Sequence, residues 1–362
     1  MHASILIQEL YTRPEAQLLE QLRRVRAELG GKVLILGHHY QREEVIAFAD
    51  ITGDSLKLAQ RAAATDAANI IFCGVHFMAE TADILTSDAQ QVILPDPAAG
   101  CSMADMADIE QVRRCWQELS TLLDPDAQIT PVTYINSTAA LKAFCGEHGG
   151  IVCTSSNAQR VLEWSWRQRE KILFFPDRHL GENTALRIGI PAAQMVQWDP
   201  ALPLGGNTPQ AIAEARLILW HGFCSVHQIF QPQHIVAMRN RIDGVEILAH
   251  PECSREVVEA ADFVGSTEMI IRHVAEAATG TTFAIATELN LVNRLRLQHP
   301  DKPVHFLSPT ICMCSTMFRT DPQHLLASLL ALRDGNEVNR IVVASPDREA
   351  ARLSLQRMLE LG

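Results

Sequence analysis

Cysteine is the residue type with the most chemistry to offer in this chain. There are nine: Cys73, Cys101, Cys115, Cys145, Cys153, Cys224, Cys253, Cys312 and Cys314. Three of the segments that carry them are rich in other polar groups. Gly100-Cys101-Ser102-Met103-Ala104 follows the loop Asp-Pro-Ala-Ala-Gly and is expected to open a helix, where the backbone dipole favours a thiolate. Cys224 and His227 lie three apart, one helical turn, which suits a metal ligand with a polar neighbour. Ser308–Met317 reads as strand-to-loop and carries Cys312 and Cys314. For each segment alone, the plain alternative is a buried thiol acting as a small hydrophobe. No C-x-x-C…C-x-x-C or C…H-x₃-H pattern occurs, which argues against a structural zinc site. Three thiols from three distant segments could instead hold an iron–sulfur cluster with one iron left open. An open iron is a Lewis acid able to draw a hydroxyl from a substrate.

The other reactive groups cluster near the ends of apolar runs. His250-Pro251-Glu252 offers a carboxylate base or acid beside an imidazole. Tyr40 and Tyr134, two of three tyrosines, both follow short apolar runs. Ser55, Ser155 and Ser266-Thr267 each read first as helix N-caps, and secondly as exposed helix starts that can hold a carboxylate or phosphate. There is no G-x-G-x-x-G, P-loop or G-x-S-x-G segment, so dinucleotide, nucleotide-phosphate and serine-hydrolase readings lack support.

These residues need a scaffold, and the pattern around them is α/β. Leu18, Leu19, Leu22 and Val25 have helical spacing in residues 15–28, and residues 32–37 form an apolar strand. Strand and helix patterns then alternate to the C-terminus. Three times, three apolar strands follow one another and end in polar residues. The first set is VLILG, IIFCG and QVIL; the second PVTYI, IVCT and ILFF; the third VEILA, ADFV and FAIA. Ligands of parallel sheets bind outside the carboxyl ends of strands. Three small α/β units would bring those ends together, whereas one nine-stranded sheet would make them ordinary loops. Unit boundaries are expected near 110–130 and 200–244, the latter as a loop followed by two helices. The tail reads as helix, strand, then a helix capped by Ser345 with Pro346 at its first position. A net charge of −11 over 362 residues gives no nucleic-acid footprint. No apolar run approaches the ~20 residues that span a bilayer. The start lacks a signal-peptide pattern, so a cytoplasmic protein with reduced thiols is expected.

Taken together, the ordered segments GHHYQ (37–41), GDSL (53–56), FCGVHFMAETA (72–82), LPDPAAGCSMAD (94–105), TYINS (133–137), CTSSNA (153–158), FPDRHLG (175–181), CSVH (224–227), HPEC (250–253), GST (265–267), ATELNL (286–291) and CMCSTM (312–317) resemble the quinolinate synthase family. The resemblance implies three similar three-layer α/β/α units around a pseudo-threefold axis with the active site at the centre. It divides the chain into 1–120, 121–240 and 241–320, with 321–362 as helices packing back on the units. It implies a 4Fe–4S cluster on Cys101, Cys224 and Cys314 with one open iron. Cys314 is preferred to Cys312 because the family pattern is Cys-x-x-Met and Met317 follows Cys314. Substrate contacts are implied for His38, Ser55, Tyr134, Asn136, Ser155, His250, Glu252, Ser266 and Thr267, and catalytic roles for Glu252, Tyr40, Tyr134 and His227. His39 and Cys253 receive no role.

The implied reaction condenses iminoaspartate with dihydroxyacetone phosphate to quinolinate, with loss of phosphate and two waters, in NAD biosynthesis. L-aspartate oxidase, as the source of iminoaspartate, is the implied functional partner. Two other readings use the same cysteines: a different cluster-dependent hydro-lyase, and an iron–sulfur sensor without catalysis. Glu252 and the two tyrosines discriminate, since a sensor has no use for proton-transfer groups.

Overall fold

A computed structural model describes residues 3–362 and shows an α/β protein with three sheets among them. The chain forms two compact units. One combines residues up to Cys101 with Met313–Val343; the other combines Ser102–Cys312 with Ala344–Gly362.

In the first unit, the Val33–His38 strand pairs on one side with Ile51–Gly53 and on the other with Asn69–Cys73, which pairs in turn with Gln91–Ile93; all are parallel. Arg340–Ile341 closes the edge, antiparallel to Gln91–Ile93. Ile35, Ile71 and Ile93 present one face to the Glu15–Leu29 helix, whose Leu18, Leu22 and Val25 recur at helical spacing. Leu325, Leu326 and Leu329 of the Pro322–Arg333 helix complete this core. Each fully buried leucine contributes roughly 1.5–3 kcal/mol. The strand ends, which carry the polar residues, are thereby held on a rigid layer.

The second unit holds two wholly parallel sheets. One runs in the order Ile151–Cys153, Ile129–Tyr134, Lys171–Phe175, Leu217–Trp220, Met195–Trp198. The other runs Phe263–Val264, Glu246–Ala249, Phe283–Ala286, Val304–Phe306. Every residue of Ile129–Tyr134 and Lys171–Phe175 is buried, as expected of parallel strands covered on both faces. The Asp347–Leu361 helix lies against Ala139–Glu147. They approach so closely that a Cβ on Gly146 would stand 1.8 Å from the Ala350 carbonyl oxygen.

The nine strands of the three sets and the tail strand all form, and among the described residues four more accompany them. Met195–Trp198 and Leu217–Trp220 fall around a region expected to be a loop followed by two helices. Leu217–Trp220 is a four-residue apolar run, fully buried, and such a run has no period that separates strand from helix. Several caps also move. Asp54, not Ser55, caps the Ser55–Ala63 helix, its carboxylate accepting from the Lys57 N–H at 3.0 Å. Ser345 caps nothing: the last helix starts at Asp347, with Pro346 before it and the Ser345 hydroxyl on Glu349 at 3.2 Å. Ser155 precedes its helix, which starts at Ala158. Ser266 does cap Thr267–Glu276, accepting from the Met269 N–H at 3.4 Å. No α-helix begins at Cys101. Ala104–Met106 is a single 3-10 turn, and the helix opens at Ile109 behind an Asp108–Gln111 capping box. The helix start expected at Cys101 is therefore displaced to Ile109. Cys224 likewise lies in a loop, followed by a 3-10 turn, His227–Ile229.

Candidate active site

The strand ends of the second unit converge on Glu252. Tyr134 is the last residue of Ile129–Tyr134, and its hydroxyl donates to Glu252 Oε1 at 2.5 Å. Glu252 lies in the turn after Glu246–Ala249, which the Cys253 N–H closes onto the His250 carbonyl at 3.0 Å. His227 Nδ1 stands 2.9 Å from Glu252 Oε2, close but without hydrogen-bond geometry. The His227 and His250 rings stack with centroids 4.5 Å apart, and His227 Nε2 lies 3.4 Å from the Thr287 hydroxyl. Glu252 is 3% exposed and His227 1%, so the cluster is shut off from bulk water. Ligand atoms of Cys224, His227 and Glu252 lie within 4.8 Å of one another.

Burial alone would raise the Glu252 pKa. The imidazoles of His227 and His250 and the Tyr134 hydroxyl outweigh it and bring the carboxyl down to about 2. Burial pushes His250 down to about 3 despite the pull of Glu252. At neutral pH the site therefore pairs a carboxylate with a neutral His250 imidazole.

Asp177 is the contrasting carboxyl. Burial, reinforced by Glu252, pushes it well above the usual range. One of its oxygens caps Arg178–Arg187 by accepting from the Leu180 N–H at 2.7 Å; the other, Oδ2, has no hydrogen-bond partner. Two carboxyls driven apart in this way can divide acid and base roles.

Residues that the sequence reading left out hold this arrangement. Asn183, buried on the Arg178–Arg187 helix, donates both amide hydrogens, to the Pro251 and Cys253 carbonyls, each at 2.9 Å. It thus fixes the backbone on both sides of Glu252. Gln228 reaches the Glu252 carbonyl at 3.4 Å. The loop leading to Cys224 rests on the FPDR segment: the Arg178 N–H donates to the Gly222 carbonyl at 2.9 Å, and a Cβ on Gly222 would lie 2.3 Å from the Pro176 carbonyl oxygen. Asp177 and Asn183 carried a signal only in lying in or just beyond a segment already singled out.

The remaining expected contacts are placed as follows. Asn136, two residues past Tyr134, has a buried Oδ1 with no protein donor, which leaves it able to accept from a ligand. Ser155 is half-buried in a turn, and its neighbour Ser156 donates to the Ser266 hydroxyl at 2.9 Å. Thr267 is buried at the start of its helix. In the first unit, His38 ends its strand and is 5% exposed; its Nδ1 accepts from the Tyr40 N–H at 3.2 Å, and the Tyr40 ring meets it edge-on at 4.7 Å. Ser55 is the first residue of its helix. Tyr134, His227 and His250 thus gather around Glu252, and His38 meets Tyr40.

The cysteines separate by environment. Cys73, Cys115, Cys145, Cys153 and Cys253 are buried, and burial raises each thiol pKa, Cys73 to about 12. Cys101, Cys224, Cys312 and Cys314 are half-buried. The expected ligands thus all belong to the half-buried set, and the donor chemistry fits an iron–sulfur cluster. Exposure does not separate Cys312 from Cys314. Among the described residues, no helix is long and apolar enough to cross a membrane.

Comparison with known proteins agrees with this picture. The family model described as "Quinolinate synthetase A protein" matches residues 20–360. Among curated relatives, a quinolinate synthase of Nocardioides sp. is 54% identical, with 95% of this chain and 89% of the relative covered. One of Rhodopirellula baltica is 52% identical, covering 96% and 92%, and one of Corynebacterium glutamicum 51%, covering 99% and 91%. A family match over nearly the whole chain, with relatives more than half identical along almost their full lengths, shows that the chain belongs to the quinolinate synthase family.

Proposed function

We propose that this chain condenses iminoaspartate with dihydroxyacetone phosphate to quinolinate, releasing phosphate and two waters. The observation that carries the reading is the buried Tyr134–Glu252–His227 contact at strand ends, in a chain of this family. Cys101, Cys224 and Cys314 would hold a 4Fe–4S cluster, with Cys314 preferred to Cys312 for its spacing to Met317. When bound, the cluster supplies a Lewis acid for a departing hydroxyl. The three sheets are read as three related units about a pseudo-threefold axis with the site at its centre.

The side chains account for the rest. Both substrates are anions, and neutral imidazole, hydroxyl and amide groups can bind carboxylate and phosphate oxygens; His38, Ser55, Asn136, Ser155, His250, Ser266 and Thr267 serve here. Glu252, ionised at neutral pH, takes a carbon-bound proton during enolisation or ring dehydration. The Tyr134 hydroxyl, already donating to Glu252, passes a proton between that carboxyl and a substrate oxygen. His227, on the other carboxylate oxygen, sets the charge of the pair, and Tyr40 acts beside His38. Exclusion of water protects the reactive imine and enol. Iminoaspartate comes from an aspartate-oxidising enzyme, with L-aspartate oxidase as the functional partner.

The test is turnover. Anaerobically reconstituted protein is given iminoaspartate generated in place, with dihydroxyacetone phosphate, and quinolinate is quantified. Quinolinate formation that depends on both substrates supports the proposal; an intact cluster with no quinolinate overturns it.

A further inference from the structure

Cys101 and Cys314 sit in loops, where no helix or sheet ladder sets the positions of their thiols. Within the first unit, the turn after Cys314 is held by side chains from two other segments. The Phe318 N–H donates to the Cys314 carbonyl at 3.0 Å, forming the turn that leads into the one-turn Met317–Arg319 helix. Gln41, fully buried just past the Val33–His38 strand, donates from Nε2 to the Met317 carbonyl at 2.9 Å. Arg42 donates to the Phe318 carbonyl at 2.5 Å and lays its guanidinium 3.4 Å above the Phe318 ring.

Arg319, five residues after Cys314, pairs through Nε with Asp96 Oδ2 at 2.8 Å, and Asp96 lies five residues before Cys101. Asp96 is itself fixed. It is 5% exposed, and its Oδ1 accepts from the Ala98 N–H at 2.9 Å. One ion pair thus ties the approach to one thiol to the exit from the other.

We propose that Gln41, Arg42 and the Asp96–Arg319 pair are positioning residues that clamp the Cys314 turn to the Cys101 loop and preset both thiols for the cluster. This rests on reading Cys101 and Cys314 as ligands. Loops free to drift would make each ligand reorder on binding, so losing the clamp weakens retention of the metal without removing a ligand. Partners one step removed from a metal typically alter affinity ~10–100-fold.

The variants are Arg319→Gln, Asp96→Asn, the double variant and Arg319→Lys. Arg319 is half exposed, so Arg319→Gln is the primary variant; it leaves the buried Asp96 carboxylate with the Ala98 N–H and with His324 Nε2 3.8 Å away. Each protein is reconstituted anaerobically, and the rate of iron release to a ferrous chelator is followed at ~400 nm, the region of thiolate-to-iron charge transfer. The urea midpoint of the cluster-free form is measured alongside. Arg319→Gln and Asp96→Asn should release iron ~10–100-fold faster with the midpoint little changed. The double variant should be no worse than the worse single, because the two act as one pair, and Arg319→Lys should recover part of the loss. Release within twofold of the unaltered protein in all of them, while Cys101→Ser and Cys314→Ser fail to hold a cluster, overturns the clamp alone. Retention of a normal cluster by Cys101→Ser or Cys314→Ser overturns the ligand reading beneath it.

Discussion

Replacing Glu252 by glutamine tests the proposed chemistry most directly. The side chain is buried, with Tyr134 donating to Oε1 at 2.5 Å and His227 Nδ1 lying 2.9 Å from Oε2. Glutamine keeps the shape, and its amide oxygen can still accept from Tyr134. Its amide nitrogen can face His227 once the imidazole presents its unprotonated nitrogen. Stability should change little: the charge-assisted bond lost is worth about 1.5–3 kcal/mol. Relief from burying an ionised carboxylate acts in the opposite direction. What cannot be replaced is the proton acceptor. A general base contributes ~10²–10⁴ in rate, which is about 2.7–5.5 kcal/mol of barrier. Glu252→Gln should therefore lose that factor in kcat, with the cluster absorption intact and the unfolding free energy within about 2 kcal/mol of the original. Quinolinate formation, iron content and unfolding are measured on one reconstituted sample. A kcat within a few-fold of the original, in a folded protein with its cluster, refutes the base role. Glu252 would then be a brace for His227 and His250, and proton transfer would pass to Tyr40 or Tyr134.

Two further outcomes follow from the surroundings of that carboxylate. Asn183→Ala strips the Pro251 and Cys253 carbonyls of their amide donor. At ~1–3 kcal/mol for each buried unsatisfied group, it should cost about 2–6 kcal/mol in urea unfolding and lower kcat in the fraction that folds; a loss below 1 kcal/mol would count against its hold on the turn. The buried histidines should also make stability fall with acidity, against the opposite effect of Asp177, whose raised pKa lets the native state take up its proton earlier. His250, about 3 when folded against an ordinary 6.5, is kept neutral only in the native state. Its contribution is complete above pH 6.5 and is lost as pH falls, reaching ~2 kcal/mol at pH 5. His179, lowered to about 4 chiefly by burial, acts in the same direction, whereas Glu252 adds to the loss only below its ordinary 4.5. The cluster-free protein unfolded in urea at pH 7.5 and pH 5 should show this drop, and His250→Gln should reduce it; an equal drop in the variant would exclude His250 as the source.

Much of the scaffold was legible because its cause is local. The Glu15–Leu29 helix shows buried residues at helical spacing, and the expected strands are apolar runs, most of them largely buried, with Phe263–Val264 the short exception. What escaped is what local pattern does not encode. Leu217–Trp220 looks the same as a buried turn of helix. Ser55 and Ser345 have capping chemistry, but the cap goes to whichever residue holds the extended backbone at the helix start; for the Ser55–Ala63 helix that residue is Asp54. The expectation of a helix at Cys101 failed for the same reason, since Asp108 and Gln111 form the stronger start seven residues on.

By its own order of residues, the chain established an α/β scaffold, the strand ends that carry the reactive side chains and the family to which it belongs. These follow from hydrophobic period and from motifs a few residues long. Tertiary structure decided what those side chains are. Tyr134 and Glu252 stand 118 residues apart and are hydrogen-bonded at 2.5 Å. Asn183 grips a turn 68 and 70 residues away, and Arg319 meets Asp96 across 223. Whether a carboxyl is ionised, as Glu252 is, or pushed upward, as Asp177 is, depends on which charges and donors share its buried pocket. Those neighbours come from other strands, and only the folded chain brings them within the few ångströms over which hydrogen bonds and unscreened charges act.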